Sequence, residues 1–104
     1  MVLMTTTETI SNRNIQTIGL VQANVVRAKH IGKDFLAGLR TLAGGEIVEY
    51  TELMYEARKI AEERMINEAK RLGADAIVAV RYMTCSIMGG SSEVMVFGTA
   101  VKYV

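Results

Sequence analysis

The densest gathering of groups able to do chemistry lies in GGEIVEYTELMYEARKIAEERM, residues 44–65, where Glu46, Glu49, Glu52 and Glu56 follow two glycines at steps of three and four. Carboxylates so spaced share a helix face. There they can hold a cation, or exchange protons if burial shifts their pKa values. Gly44, Gly45, Glu46, Glu49 and Tyr50 are the candidate ligand-binding residues, and Arg40 lies just upstream. An enzyme built on this chain would use the Glu46, Glu49 and Tyr50 region. A structural reading competes at each position. Glutamates at a helix start are stabilised by the helix macrodipole, and a double glycine commonly stops one helix before another begins. An anion at the glycine N–H groups would be repelled by the flanking carboxylates, and the Lys and Thr of a phosphate-binding loop are missing.

Metal chemistry has two weak candidates, His30 and Cys85. Soft metals want clustered thiolates and imidazoles, and here no CxxC or HxxxH brings such groups together. Cys85 reads equally well as a small strand residue, and His30 as a polar residue at a strand end.

These residues must be placed by a limited set of elements. VLMTTTETI, the punctuating SNRN and IQTIGLVQANVVRAK predict a short strand, a turn and a long strand. In the long strand Ile18, Leu20 and Val26 fall on one face and Val21, Ala23 and Val25 on the other, so both faces want cover. HIGKDFLAGLRTLAGGE predicts a helix through Phe35, Leu36, Leu39 and Leu42 that ends at Gly44 and Gly45. A second helix is expected from about Val48 to Leu72, closed by Gly73. ADAIVAVRYMTCSIM and SEVMVFGTAVKYV predict two strands joined at GGSS. The order ββααββ implies an α+β domain, an antiparallel sheet with helices on one side.

On the second helix Leu53, Ala57, Ile60 and Ala61 form the core stripe, extended by Met54, Met65 and Leu72. Glu52, Glu56, Lys59, Glu63 and Lys70 make the wet side, and Arg64 and Glu68 are spaced to pair. Tyr55, Ile66 and Ala69 make a second, smaller apolar group, the candidate contact with another copy.

The bulk composition sets outer bounds. A chain of 104 residues is one domain, residues 1–104, with one modest core. Half its residues are hydrophobic, yet no uncharged apolar run approaches the roughly 18 residues that cross a bilayer. So much apolar side chain on a short polymer favours burial between copies. A net charge of +1 without a basic block argues against nucleic acid as a partner. A single cysteine and no readable secretory signal fit a cytoplasmic protein without membrane attachment. No cofactor is indicated.

GGE followed by EYTEL, then LGADAIVAVRY and FGTAV at the right distance, resembles the YbjQ-like family of small bacterial proteins, over essentially the whole chain. The resemblance implies an α+β subunit of a homopentameric, propeller-like ring in which added short strands help subunits join. Some members carry a heavy-metal-binding label, but no family catalytic residue is available to carry over. A non-catalytic binding or structural role is therefore expected. The alternative is a metal or small-ligand site assembled between subunits, where one His30, Cys85 or Glu46 per chain would be repeated around the ring.

Overall fold

A computed structural model describes residues 2–28, 42–43, 46–87 and 91–104. The side chains of Ala28, Leu42, Ala43, Ile87 and residues 46–50 lie outside that description. In chain order the elements are β1 (Leu3–Met4), β2 (Ile15–Ala28), β3 (Leu42–Ala43), β4 (Glu46–Ile47), α1 (Val48–Arg71), β5 (Ala76–Ile87) and β6 (Ser91–Tyr103). The main sheet runs β1-β5-β6-β2, and β3 pairs with β4 alone.

The chain is α+β, but the sheet is mixed rather than antiparallel. β2, β6 and β5 pair antiparallel as expected, whereas β1 joins β5 in parallel, Leu3 opposite Ala76 and Met4 opposite Ile77. A two-residue strand carries no local signal of its direction; long-range docking decides it. The predicted first helix falls largely on residues 29–41, outside the described part. Its expected last turn does not form, because Leu42 and Ala43 pair antiparallel with Ile47 and Glu46. Gly44 and Gly45 therefore stand in sequence between two short strands, not between two helices.

α1 matches its predicted span to within a residue at the C-terminus. Gly73, at φ 78, ends it: the Gly73 amide donates to the Lys70 carbonyl at 3.0 Å and the Ala74 amide to the Ala69 carbonyl at 3.0 Å, the Schellman arrangement that satisfies the last carbonyls. Lys70 and Arg71 complement the negative end of the dipole.

The helix packs on β2 and β6. Ala57, Ala61, Met65 and Ala69 are wholly buried against Val21, Val25, Val94, Val96 and Ala100. Small residues at three of those four helix positions let the backbone approach the sheet closely. Placement of Ala69 on the far side of the helix is thus incorrect. An ideal wheel sets Ala69 about 120° from Ala57, yet the whole i+4 row from Ala57 through Ala61 and Met65 to Ala69 is buried in one cluster. Ile66 also packs at the edge of this core. Of that predicted second face only Tyr55 is exposed, at 52%. Leu72, expected in the core, is exposed as well.

Glu68 pairs with Arg71 rather than with Arg64, and Arg64 Nη1 donates to the Asn24 carbonyl of β2 at 3.1 Å. The Arg71 guanidinium bonded to Glu68 holds that carboxyl below its usual range.

On the other face of the sheet the cover is partial. Ile10 and Ile15 shelter Ala76, Val78 and Val101 at one end. Beyond them Leu20, Val26 and Met83 are exposed at 64%, 54% and 58%, flanking the half-buried Met95 and Phe97 of the central strand. One of the two apolar faces of β2 is covered by α1; no described element covers the other at this end.

Candidate functional site

The site follows from how α1 meets the sheet. Because the helix lies over β2 and β6, the helix-facing side of β5 is left open past Val80. A bulge between Val78 and Arg81 sets the alternation there, with Ala79 in the left-handed region at φ 55. Tyr82 then stands opposite Val96 and Thr84 opposite Val94, on the same face as the core, yet both are exposed. Met54, Arg58 and Glu62, one turn apart along α1, form the facing wall. Between them is a groove of about 430 Å³, floored by Val94.

Its polar groups are fixed relative to one another. The Tyr82 hydroxyl donates to Glu62 Oε2 at 2.8 Å. Lys59 Nζ lies 3.7 Å from Glu62 Oε1. Burial, and then the adjoining carboxylate, push the Tyr82 hydroxyl up to about 12, against the weaker pull of the Arg58 charge. Tyr82 is thereby a hydrogen-bond donor at neutral pH that holds its proton more firmly than an ordinary tyrosine. Arg58 stands four residues before Glu62, where a helix pair would ordinarily form. That carboxylate is engaged by Tyr82 and Lys59 instead, and among the described residues Arg58 has no carboxylate partner. Its guanidinium lies 5.5 Å from the Tyr55 ring centroid, with Lys59 at 5.4 Å from the same ring. Tyr55 thus gives its exposed ring to two cations.

A second cavity of about 220 Å³ shares Met54 and Thr84 with the first and continues past Cys85, Ser86 and Ser92. Cys85 is exposed and its thiol donates to the Ser86 carbonyl at 3.4 Å. Across the strands Cys85 is registered with Glu93, whose Oε2 accepts from Asn24 Nδ2 at 3.0 Å. A thiol and a carboxylate side by side are two donors, and a structural zinc site takes four. Among the described residues no three His, Cys, Asp or Glu side chains come together.

The predicted candidates divide accordingly. Gly44, Gly45 and His30 lie outside the described residues, so their expected roles are not placed. Glu46 sits in β4, and Glu49 and Tyr50 in the first turn of α1, about a turn before Met54. Glu52 and Glu56 are exposed on the helix surface, as their spacing suggested. Sequence reasoning missed Arg58 and Glu62 as a site. The signal was faint: on the wheel Arg58 lies about 100° from Ala57, just past Met65 at about 80°, and only a core arc extended to Ala69 at about 120° would have enclosed it.

The chain was compared with known proteins. A family model described as "Putative heavy-metal-binding", the YbjQ family, matches residues 2–104. Relatives named UPF0145 protein are 53% identical over 102 residues in Thermus thermophilus, spanning 97% of this chain and 90% of that protein. In Vibrio campbellii the identity is 56% over 101 residues, 96% of this chain and 97% of the other. A crystal structure of a DUF74-family protein with unknown function from Pediococcus pentosaceus has a TM-score of 0.70 at 19% identity, covering 99% of this chain and 98% of that one. That likeness speaks for the fold alone.

Proposed function

Since this chain belongs to the YbjQ family, we propose that it is a non-catalytic binding or structural subunit of a homo-oligomer, the homopentamer that the family resemblance implies. One observation carries the proposal: on the sheet face away from α1, Leu20, Val26 and Met83 stand exposed among Gln22, Asn24 and Glu93, and no described element covers them. Large apolar side chains exposed together with polar neighbours on one sheet face are what an interface between copies would use. The shape supports the same reading. The chain measures 53 × 25 × 19 Å with a radius of gyration of 17.0 Å, where a compact domain of this length has about 13 Å. Long elements around a thin core leave much side chain for a neighbour to cover. The outer edge of β2, and that of β5 past Val80, pair with no described strand. Two different open edges suit head-to-tail association that closes as a ring. No described helix is long and apolar enough to cross a membrane. We place the protein in the cytoplasm without nucleic acid as a partner.

Native mass spectrometry tests the assembly. A ring of five chains is expected, and the double variant Leu20→Glu, Met83→Glu should dissociate it while keeping the fold, seen as an unchanged far-UV spectrum.

A second reading, metal binding at a site completed between copies, is favoured by Cys85 lying across from Glu93 on the face expected to dock. In a head-to-tail ring this thiolate and carboxylate would meet a different surface of the next copy, which would have to supply the remaining donors. Titration with zinc, copper and nickel should show saturable binding lost in Cys85→Ser and, if His30 joins the site, in His30→Ala. Absence of saturable binding by the assembled protein ends this reading.

A further inference from the structure

We propose that the groove between α1 and β5 binds a small amphipathic carboxylate, its apolar body on Met54 and Val94 and its anionic end held by Arg58 and Arg27. A binding role is assumed here; the assembly is not. The volume is that of a small-molecule pocket, about 430 Å³, within the usual range. Its walls are apolar where Met54 and Val94 meet, and its fixed polar groups are few. Arg58 lines it without a carboxylate partner among the described residues, although Glu62 stands one turn away and is turned to Tyr82 and Lys59.

A second observation points to the same ligand charge. Arg27 of β2 is registered with Ser92, which is registered with Ser86. This cross-strand row is the next on the helix-facing side after Val25, Val94 and Thr84, and two of its three members line the adjoining cavity. Arg27 Nε is buried with no hydrogen-bond partner. A guanidinium N–H left so is costly unless an acceptor arrives. Hydroxyls at Thr84, Ser86 and Ser92 offer further donors to a carboxylate. Among the described residues lining the groove a cationic ligand would find one carboxylate, Glu62, already engaged by two donors. Phosphate esters are less suited than carboxylates because Glu62 borders the groove and penalises each added negative charge.

Isothermal titration with sodium octanoate tests this, with octanol and octylamine as matched controls. Octanoate should bind saturably, one per chain, and more tightly than either control. Arg58→Ala, at an exposed position, should weaken it about tenfold, the usual size of a lost charge-assisted hydrogen bond. Arg27→Ala should weaken it similarly. Since that variant disturbs a half-buried site, Thr84→Phe serves as an independent plug and should abolish binding without changing the thermal midpoint. Equal binding of octanol, octanoate affinity unmoved by Arg58→Ala and Thr84→Phe, or no saturable binding overturns the proposal. Native mass spectrometry of the same samples separates this outcome from failure of the assembly: a monomer that binds octanoate refutes only the ring, and an intact ring that does not bind refutes only the ligand.

Discussion

Tyr82 shows how a single side chain reports on its surroundings. Its hydroxyl is held protonated by burial and by the Glu62 carboxylate that accepts its hydrogen bond, which raises its pKa from an ordinary 10.0 to about 12. An acid whose pKa is higher in the folded state favours folding while it is protonated. The contribution is complete below the ordinary tyrosine pKa and is lost as pH rises from 10.0 toward about 12. Difference titration at 295 nm of the wild type against Tyr82→Phe should place this ionisation near 12, and Glu62→Gln should move it down toward 10.0. Arg58→Ala should act oppositely, since its cation favours the phenolate. An unmoved Tyr82 in Glu62→Gln would mean that the hydrogen bond does not form in solution. None of this was readable from the chain. Glu62 and Tyr82 are twenty residues apart, on a helix and a strand, and only the open side of β5 brings them together.

Between elements, the junctions carry the most specific constraints. A Cβ at Gly98 would meet Ile77 Cγ2 at 2.8 Å and the Val78 carbonyl at 3.0 Å. Both neighbours belong to the strand beside it, and one contact is backbone, so Gly98→Ala should cost about 1–3 kcal/mol by forcing β5 and β6 apart. At Gly73 an added Cβ would meet Lys102 Nζ at an ordinary 3.9 Å and the conformation is the obstacle: Gly73→Ala should cost about 1–2 kcal/mol from the positive φ alone. Ala79 offers the converse, since Ala79→Gly relieves a left-handed alanine and should be neutral or stabilising. Chemical denaturation of the three variants checks the ordering. The helix from Val48 and its stop at Gly73 were legible because a 3.6-residue pattern and a C-terminal glycine are local signals. The bulge at Ala79 was not, as alanine carries no mark of positive φ. The parallel pairing of β1 and the short β3–β4 pair depend on distant partners that no window of sequence contains. Ala69 was misplaced because the buried side of the helix follows the i+4 row from Ala57 through Ala61 and Met65 to Ala69, a wider arc than the stripe read from the wheel.

At the scale of the whole molecule, the described residues form a main sheet under one helix, and their energetics are those of an incomplete sandwich. Met65, fully buried at the centre of the helix contact, should cost about 2–5 kcal/mol when cut to alanine, a large share of what so small a core supplies. The surplus of apolar residues was legible in composition and motivates the proposed neighbour. The place of that neighbour was not, because alternation along β2 marks two apolar faces without saying which one α1 takes. With the helix over Val21 and Val25, Leu20, Val26 and Met83 are left exposed on the opposite face, where the proposed neighbour would dock, whereas of Tyr55, Ile66 and Ala69 only Tyr55 is exposed. Sedimentation velocity of the purified chain across the micromolar range tests this most directly. A single species of five chains, converted to monomer by Leu20→Glu with Met83→Glu, is the predicted result; a wild-type chain that sediments as a monomer throughout would contradict it.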